Sequence, residues 1–537
     1  MAETTVGPAR SSETSLSKKS ASLIRGMGFL AILAFGVNAI SLSAAGQLPF
    51  ASVAGLWPGG NLTLILLLAV VLSLFHAYTY AVIGSAAPRS GADYFIASRV
   101  LSAPLAFASS WTLVIFSGLV AGSLIAGIPQ HTLPMIFRTL SLITNERQLM
   151  VLADTVAAPE NVVLIGTVCV VLVFMTLILS QRAIVRFLQV GLVLGLLAWG
   201  IIYFQLLSVP INIFPSAWNT YMGSGDYLDR IIQARALGMD YAFDRNGTTL
   251  AGLIVGFWIF YGYFIPTYFA GEVKNPGKNL LLGSLASLLL AGGIFVGAVY
   301  LLNRLVPSEW LAAESFLYLN PAYKGISMPW ITFYAAVLRP NLALIIIVSI
   351  AWVFTLFNLA QTYFFYMSRI VLAWADDGLM PEVVSYVHPV MRSPLMPVLF
   401  AAIIAELGVV DASLNGVLSA QINFVFFVVL TQLVPVAAIT LLPFLKRDWF
   451  ESASPLVRLK LGPIPVITLV GLLTLVYLVW LAVAYIIYPV LGGVQTGTLM
   501  TFSLLFISGI AWFFGRKAYL KSLGHDLSLQ PGKSPAD

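Results

Sequence analysis

Few residues in this chain are able to bind or transfer anything at membrane depth, and their spacing is informative. Asn358, Gln361 and Thr362 are three and four residues apart, which puts them on one face of a helix. Asn38, Ser41 and Ser43 form a second polar group within "GVNAISLSAAGQLP", Gly36 to Pro49. A third region, "FWIFYGYFIPTYFAGEVKNPGKN" (Phe257 to Asn279), sets Gly262 and Pro266 inside an aromatic run. Proline lacks an N–H and crowds the carbonyl four residues back, and glycine frees the torsions, so the pair breaks a helix. In hydrocarbon no water pairs with the freed backbone groups, and such a break survives only where it lines a cavity. Amides at the start of one half-helix attract an anion such as an α-carboxylate, and carbonyls at the end of the other attract an ammonium. The chemistry on offer is recognition of a zwitterion.

The ionisable residues at membrane depth are His76 and Glu406. His76 is expected to be a hydrogen-bonded packing histidine, with a proton relay as the alternative. Glu406, five residues before Asp411, is expected to reach water at the outer end of its helix. A membrane-embedded enzyme would need clustered catalytic groups, and the sequence has no HExxH, no acidic pair with basic partners at depth and no nucleotide-binding loop. Cys169 is the single cysteine, which excludes an intrachain disulfide and a cysteine metal cluster. No cofactor is expected. A coupling ion, H+ or Na+, stays open; a sodium ion would want several oxygens at once, for which Asn358, Gln361 and Thr362 are available.

These residues must be positioned by membrane helices. The 537 residues are 59% hydrophobic and 9% charged, with a mean hydropathy of +0.93. Apolar runs of about 20 residues recur throughout, which fits helices and not barrel strands. The expected fold is an all-α integral membrane protein with twelve transmembrane helices, at 27–54, 61–86, 104–136, 159–180, 186–208, 249–272, 279–304, 341–374, 395–415, 419–445, 464–488 and 495–515. Residues 1–22, polar and without a signal-peptide pattern, are expected to be a disordered cytoplasmic tail, and 516–537 a second tail. With both termini inside, the cytoplasmic segments hold 20 of the 28 Lys and Arg residues and the outer ones 8, as the positive-inside rule requires. The plasma membrane is the expected location. Scattered basic residues give no nucleic-acid footprint. In the outer segment Pro210 to Asn246, Ile231, Ile232 and Leu237 are expected to form the apolar face of a short surface helix, with a lid as the alternative.

Three loop motifs carry a resemblance. "AGEVKNPGKN" (Ala270 to Asn279), "MSRIVLAWADDGLMPE" (Met367 to Glu382) and "PRSGADYFIASRVL" (Pro88 to Leu101) resemble, in order and in placement, signatures of the amino acid-polyamine-organocation superfamily. The resemblance covers roughly Leu23 to Phe514 and implies a five-plus-five inverted repeat with discontinuous helices 1 and 6. The first repeat would be 23–208, the second 249–445, and helices 11 and 12 would occupy 464–515. It implies transport of amino acids or related organic ions by alternating access. By the same resemblance, Leu42, Ser43 and Ala44 stand where relatives have a glycine-rich triplet whose amides hold the substrate carboxylate, and Asn38 where a glycine is common. Gly262 matches the glycine at the sixth-helix break, between Tyr261 and Tyr263. Phe264 replaces a frequent acidic residue, and Trp258 stands where arginine/agmatine exchangers place a gating aromatic. The fifth helix, "FLQVGLVLGLLAWG" (Phe187 to Gly200), lacks the lysine that some proton-coupled relatives use. The expected substrate is a neutral amino acid. The alternatives are cationic amino acids or polyamines, or a sensor that does not transport; oligomeric state is left open.

Overall fold

A helix satisfies its own N–H and C=O groups, which is why each long apolar run becomes one. The structure, a computed structural model, describes residues 23–242, 247–414, 416, 418, 423–488, 496–525 and 527. The spans are α1 (Phe29–Leu56), α2 (Leu62–Ala86), α3 (Ala103–Thr144), α4 (Pro159–Leu177), α5 (Gln181–Leu207), α6 (Thr248–Phe260), α7 (Pro276–Asn303), α8 (Leu342–Asp376), α9 (Leu395–Ser413), α10 (Phe424–Leu445), α11 (Val466–Ile487) and α12 (Thr496–Ser522). Eleven have the length and apolarity to cross a membrane. The twelfth, α6, is short because it breaks after Phe260 and continues only as 3-10 turns at Ile265–Tyr268 and Ala270–Glu272. The face where Met27 pairs with Val273 and Arg516 meets Gly378 is the terminal face; the opposite face is distal.

Two ends differ from expectation. The third helix runs on to Thr144, absorbing Pro129 in a π-turn at Ile128–Thr132 instead of ending near 136. The last helix runs to Ser522, past 515, because Arg516 donates to the carbonyls of Gly378 and Met380 and so ties the polar extension to the terminal face. The expected tail at 1–22 and the expected helix starts at 419–422 and 495 lie outside the described residues.

Several helix contacts recur when helix n is exchanged for helix n+5, as a five-plus-five repeat requires: α2 packs on α6 as α7 packs on α1, α3 on α10 as α8 on α5, and α3 on α9 as α8 on α4. Helices α11 and α12 lie outside this set, α11 against α10 and α2, α12 against α3.

On the distal face four short helices, Phe214–Met222, Asp226–Ala236, Ser308–Leu319 and Ile331–Leu338, cover the bundle. The helix at Asp226–Ala236 does not bury the expected face: Ile232 is 64% exposed, whereas Arg230 and Ala234 are buried. The reason is electrostatic. Arg230 is held by Asp226 at 2.8 Å and Glu314 at 3.3 Å, and it donates to the Ile326 carbonyl, so a charged residue supplies the inward anchor.

On the terminal face the three loop motifs form one knot. Glu272 of the first accepts from Arg369 of the second at 2.7 Å, both nearly fully buried. Arg99 of the third grips Asp377 of the second with two 2.6 Å bonds, and Tyr94 adds a third to the same carboxylate. Breaking one partner of a buried pair of this kind costs about 3–5 kcal/mol, so the knot holds this face shut.

Candidate functional site

The α1 break follows Ile40. Ser41 takes a left-handed conformation with φ of 64°, and its hydroxyl accepts from the Ala44 amide at 3.2 Å, capping the second half-helix. That hydroxyl also meets Ser43 Oγ at 3.2 Å, and Ser43 accepts from Thr355 of α8 at 2.8 Å. The Leu42 carbonyl accepts from Trp199 Nε1 of α5 at 3.0 Å. Among the described residues the amides of Leu42 and Ser43 donate to no acceptor. Two adjacent N–H groups at a half-helix start are a place for an anion.

The α6 break is built from rings. Gly262 has φ of 133°, and a Cβ there would run into the backbone of Ala39 and Ile40. Only glycine allows both the torsion and the approach, so the two breaks touch directly. Trp258 stacks on Tyr261 with ring centres 5.9 Å apart, and Phe424 of α10 meets Trp258 at 4.5 Å and Tyr261 at 5.2 Å. Tyr363 of α8 completes this aromatic group. Tyr263 and Phe264 turn the other way, onto α2. Tyr263 shares a 3.0 Å hydrogen bond with His76 Nδ1, and Phe264 packs on the His76 and Tyr80 rings. The other His76 nitrogen meets Gln432 of α10 at 3.0 Å.

Helix α8 divides its three polar residues. Asn358 donates to Asn38 at 3.2 Å and to the Phe187 carbonyl, while Asn38 donates to the carbonyls of Ala34 and Leu188 at 2.7 Å each. Gln361 instead faces α4, donating to Thr176 at 2.6 Å. Thr362 donates back to Leu359 of its own helix. Among the described residues Asn358 is the one of the three that hydrogen-bonds to α1; Thr355, one turn earlier, also does so. Of the expected site residues Ala44 and Trp258 are half-buried and the others buried. Glu406 is half-buried and accepts from Thr167 of α4 at 2.5 Å.

Sequence reasoning missed Trp199, Thr355, Tyr363 and Phe424. One signal was present: Gly191 and Gly195, four apart on α5, mark a close helix approach. A Cβ on Gly191 would strike the Asn358 amide and come within 2.8 Å of Asn38 Oδ1.

The site is closed on the terminal side by Glu272 and Arg369, with Gln181 donating to Glu272 and the Lys274 amide to the Met27 carbonyl. On the distal side Gln47 accepts from the Ile331 amide at 2.9 Å, and the Gly55 amide donates to Ser315 at 3.0 Å. Among the described residues no group of three or more His, Cys, Asp and Glu could hold a metal ion.

Residues 27–511 match the amino acid permease family. Curated relatives include the branched-chain amino acid permease BcaP of Bacillus subtilis (strain 168), 23% identical over 71% of this chain and 73% of the relative. The methylthioribose transporter of the same organism is 20% identical over 81% of this chain and 87% of its own length. Cationic amino acid transporter 9, chloroplastic, of Arabidopsis thaliana is 28% identical over 30% of this chain, which spans only 26% of that relative. The two broken helices, their direct contact at Gly262 and a family match over most of the chain agree: the protein belongs to the amino acid permease family.

Proposed function

We propose that the protein is a secondary transporter of neutral amino acids with apolar side chains, working by alternating access in the plasma membrane with both termini cytoplasmic. One observation carries the substrate class. Helices α1, α2, α3, α5, α6, α7 and α10 contain no Asp or Glu, and α8 has none before Asp376. No carboxylate stands at either break to hold a second ammonium. The substrate carboxylate is assigned to the Leu42 and Ser43 amides, and its side chain to the rings of Trp258, Tyr261, Tyr363 and Phe424. The name of the branched-chain relative supports this reading; the names of the cationic relatives favour the alternative.

Competition against leucine uptake in proteoliposomes separates the two. Neutral amino acids are expected to compete best; arginine or putrescine outcompeting all of them would overturn the assignment. Binding without uptake would identify a sensor. Orientation is tested with a membrane-impermeant thiol reagent on an engineered C-terminal cysteine, Cys169 having been replaced. No labelling of intact cells is expected.

A further inference from the structure

With the helices around the breaks free of acid, one buried carboxylate outside the substrate site has no role in the mechanism above. Asp93 opens the short helix Ala92–Val100 on the cytoplasmic face. It is 4% exposed, and its Oδ1 has no hydrogen-bond partner. It faces a small cavity lined by Tyr80 of α2, Ser109 and Ser110 of α3, and Thr431 and Gln432 of α10.

The surrounding charges leave it uncompensated. Arg99, on the same short helix, is taken by Asp377, and Arg369 of α8 by Glu272. The titratable groups that face Asp93 from the packed elements are phenols: Tyr80 on α2, Tyr268 in the turns after α6 and Tyr366 on α8. Helices α3 and α10 present hydroxyls and an amide. No lysine or arginine acts on the carboxylate. Burial pushes its pKa up to about 7, and the backbone N–H groups of Asp93 and Tyr94 at the helix start offset that only in part.

The cavity is also connected to the substrate site. Gln432, whose Nε2 is unpaired at the cavity, holds His76 by its other atom at 3.0 Å. His76 holds Tyr263 at 3.0 Å, and Tyr263 follows Gly262, the point of contact between the two breaks.

We propose that Asp93 is a proton-binding site of the transport cycle, occupied while the cytoplasmic face is closed and emptied when that face opens. This rests on the reading of the protein as a transporter. In the closed state burial favours the neutral acid. Opening admits water, returns the carboxylate towards its ordinary acidity and releases the proton to the cytoplasm. Proton binding and opening are thereby linked, and each must oppose the other by the same free energy. The Gln432–His76–Tyr263 line is the connection through which a moving break disturbs the cavity.

The test uses purified full-length protein and its Asp93→Asn and Asp93→Glu variants. Difference infrared spectroscopy between about pH 5.5 and about pH 8.5 should show buried carboxylic acid absorption in wild type that fades on crossing about pH 7, with a component that is missing in Asp93→Asn and returns, shifted, in Asp93→Glu. That readout needs no substrate. In proteoliposomes the rate of leucine uptake by wild type should respond to a proton gradient, slowing as the pH on the Asp93 side is lowered through about 7, because the bound proton opposes opening of that face. Asp93→Asn should lose this gradient response while leucine-for-leucine exchange stays within about threefold of wild type, since the substrate contacts are untouched. No acid band in wild type, or an unchanged proton response in Asp93→Asn, would overturn the proposal. Loss of leucine binding by every protein, with the band present, would instead count against the substrate assignment alone.

Discussion

The two helix breaks do the same job with opposite materials. At the α1 break most exposed groups are met by a partner on another helix, Trp199 on the Leu42 carbonyl, Thr355 on Ser43 and Asn358 on Asn38, and the Leu42 and Ser43 amides are left open. At the α6 break Tyr263 and Thr267 bond to α2, but the backbone at the break itself is shaped by one glycine in a positive-φ conformation and a shell of rings. Hydrogen bonds are directional and leave defined vacancies, here two amides, whereas ring packing tolerates many shapes. The difference teaches that directional bonds fix one break and packing the other, which is the basis on which the proposed function gives a ligand's carboxylate to the first and its side chain to the second.

Disturbing each break in turn should separate these contributions. The largest effect is expected at Gly262. Gly262→Leu should leave the protein monodisperse in detergent and lower uptake by at least about 100-fold, because displacing the contact by an ångström misplaces the whole site. Undiminished uptake would move the site elsewhere. Trp199→Phe keeps the ring and removes the donor to Leu42, leaving a buried carbonyl unpaired at a cost of about 1–3 kcal/mol. The expected result is a leucine KM raised about tenfold, measured in initial-rate uptake. Thr355→Val deletes one neutral hydrogen bond to Ser43, worth about 1 kcal/mol, and should raise KM about fivefold. If Thr355→Val proved more damaging than Trp199→Phe, the hydroxyls and not the backbone would be the organising element. The smallest effect is expected for Gln361→Leu. Its partner is Thr176 on α4, away from both breaks, so KM should stay within about twofold while thermal stability drops by about 1 kcal/mol.

Much of this architecture was legible in the residue order. Hydrocarbon thickness and backbone hydrogen bonding leave no alternative to helices for runs this long and apolar, and Gly262 with Pro266 announces a break wherever it falls. The absence of acidic residues from the helices around the breaks, on which the proposed ligand class rests, was legible too. The misses share a cause. Gln361 lies one residue from Thr362 and three from Asn358, yet the rotation of α8 against α1 and α4 decides which of them faces the break. Thr355 matters only because α8 brings it to Ser43, 312 positions away in the chain.

What the sequence determined by itself is local: helix or break, apolar or polar, charged or not, each set by the free energy of a segment in its solvent. What the tertiary structure decided is which distant group closes each vacancy. Glu272 with Arg369, Arg99 with Asp377, and Asp93 left with neither are outcomes of how three loops from different parts of the chain converge on one face. A charge's partner is chosen by distance in space, at a few ångströms, and spacing along the chain carries no information about that distance once it exceeds a helix turn.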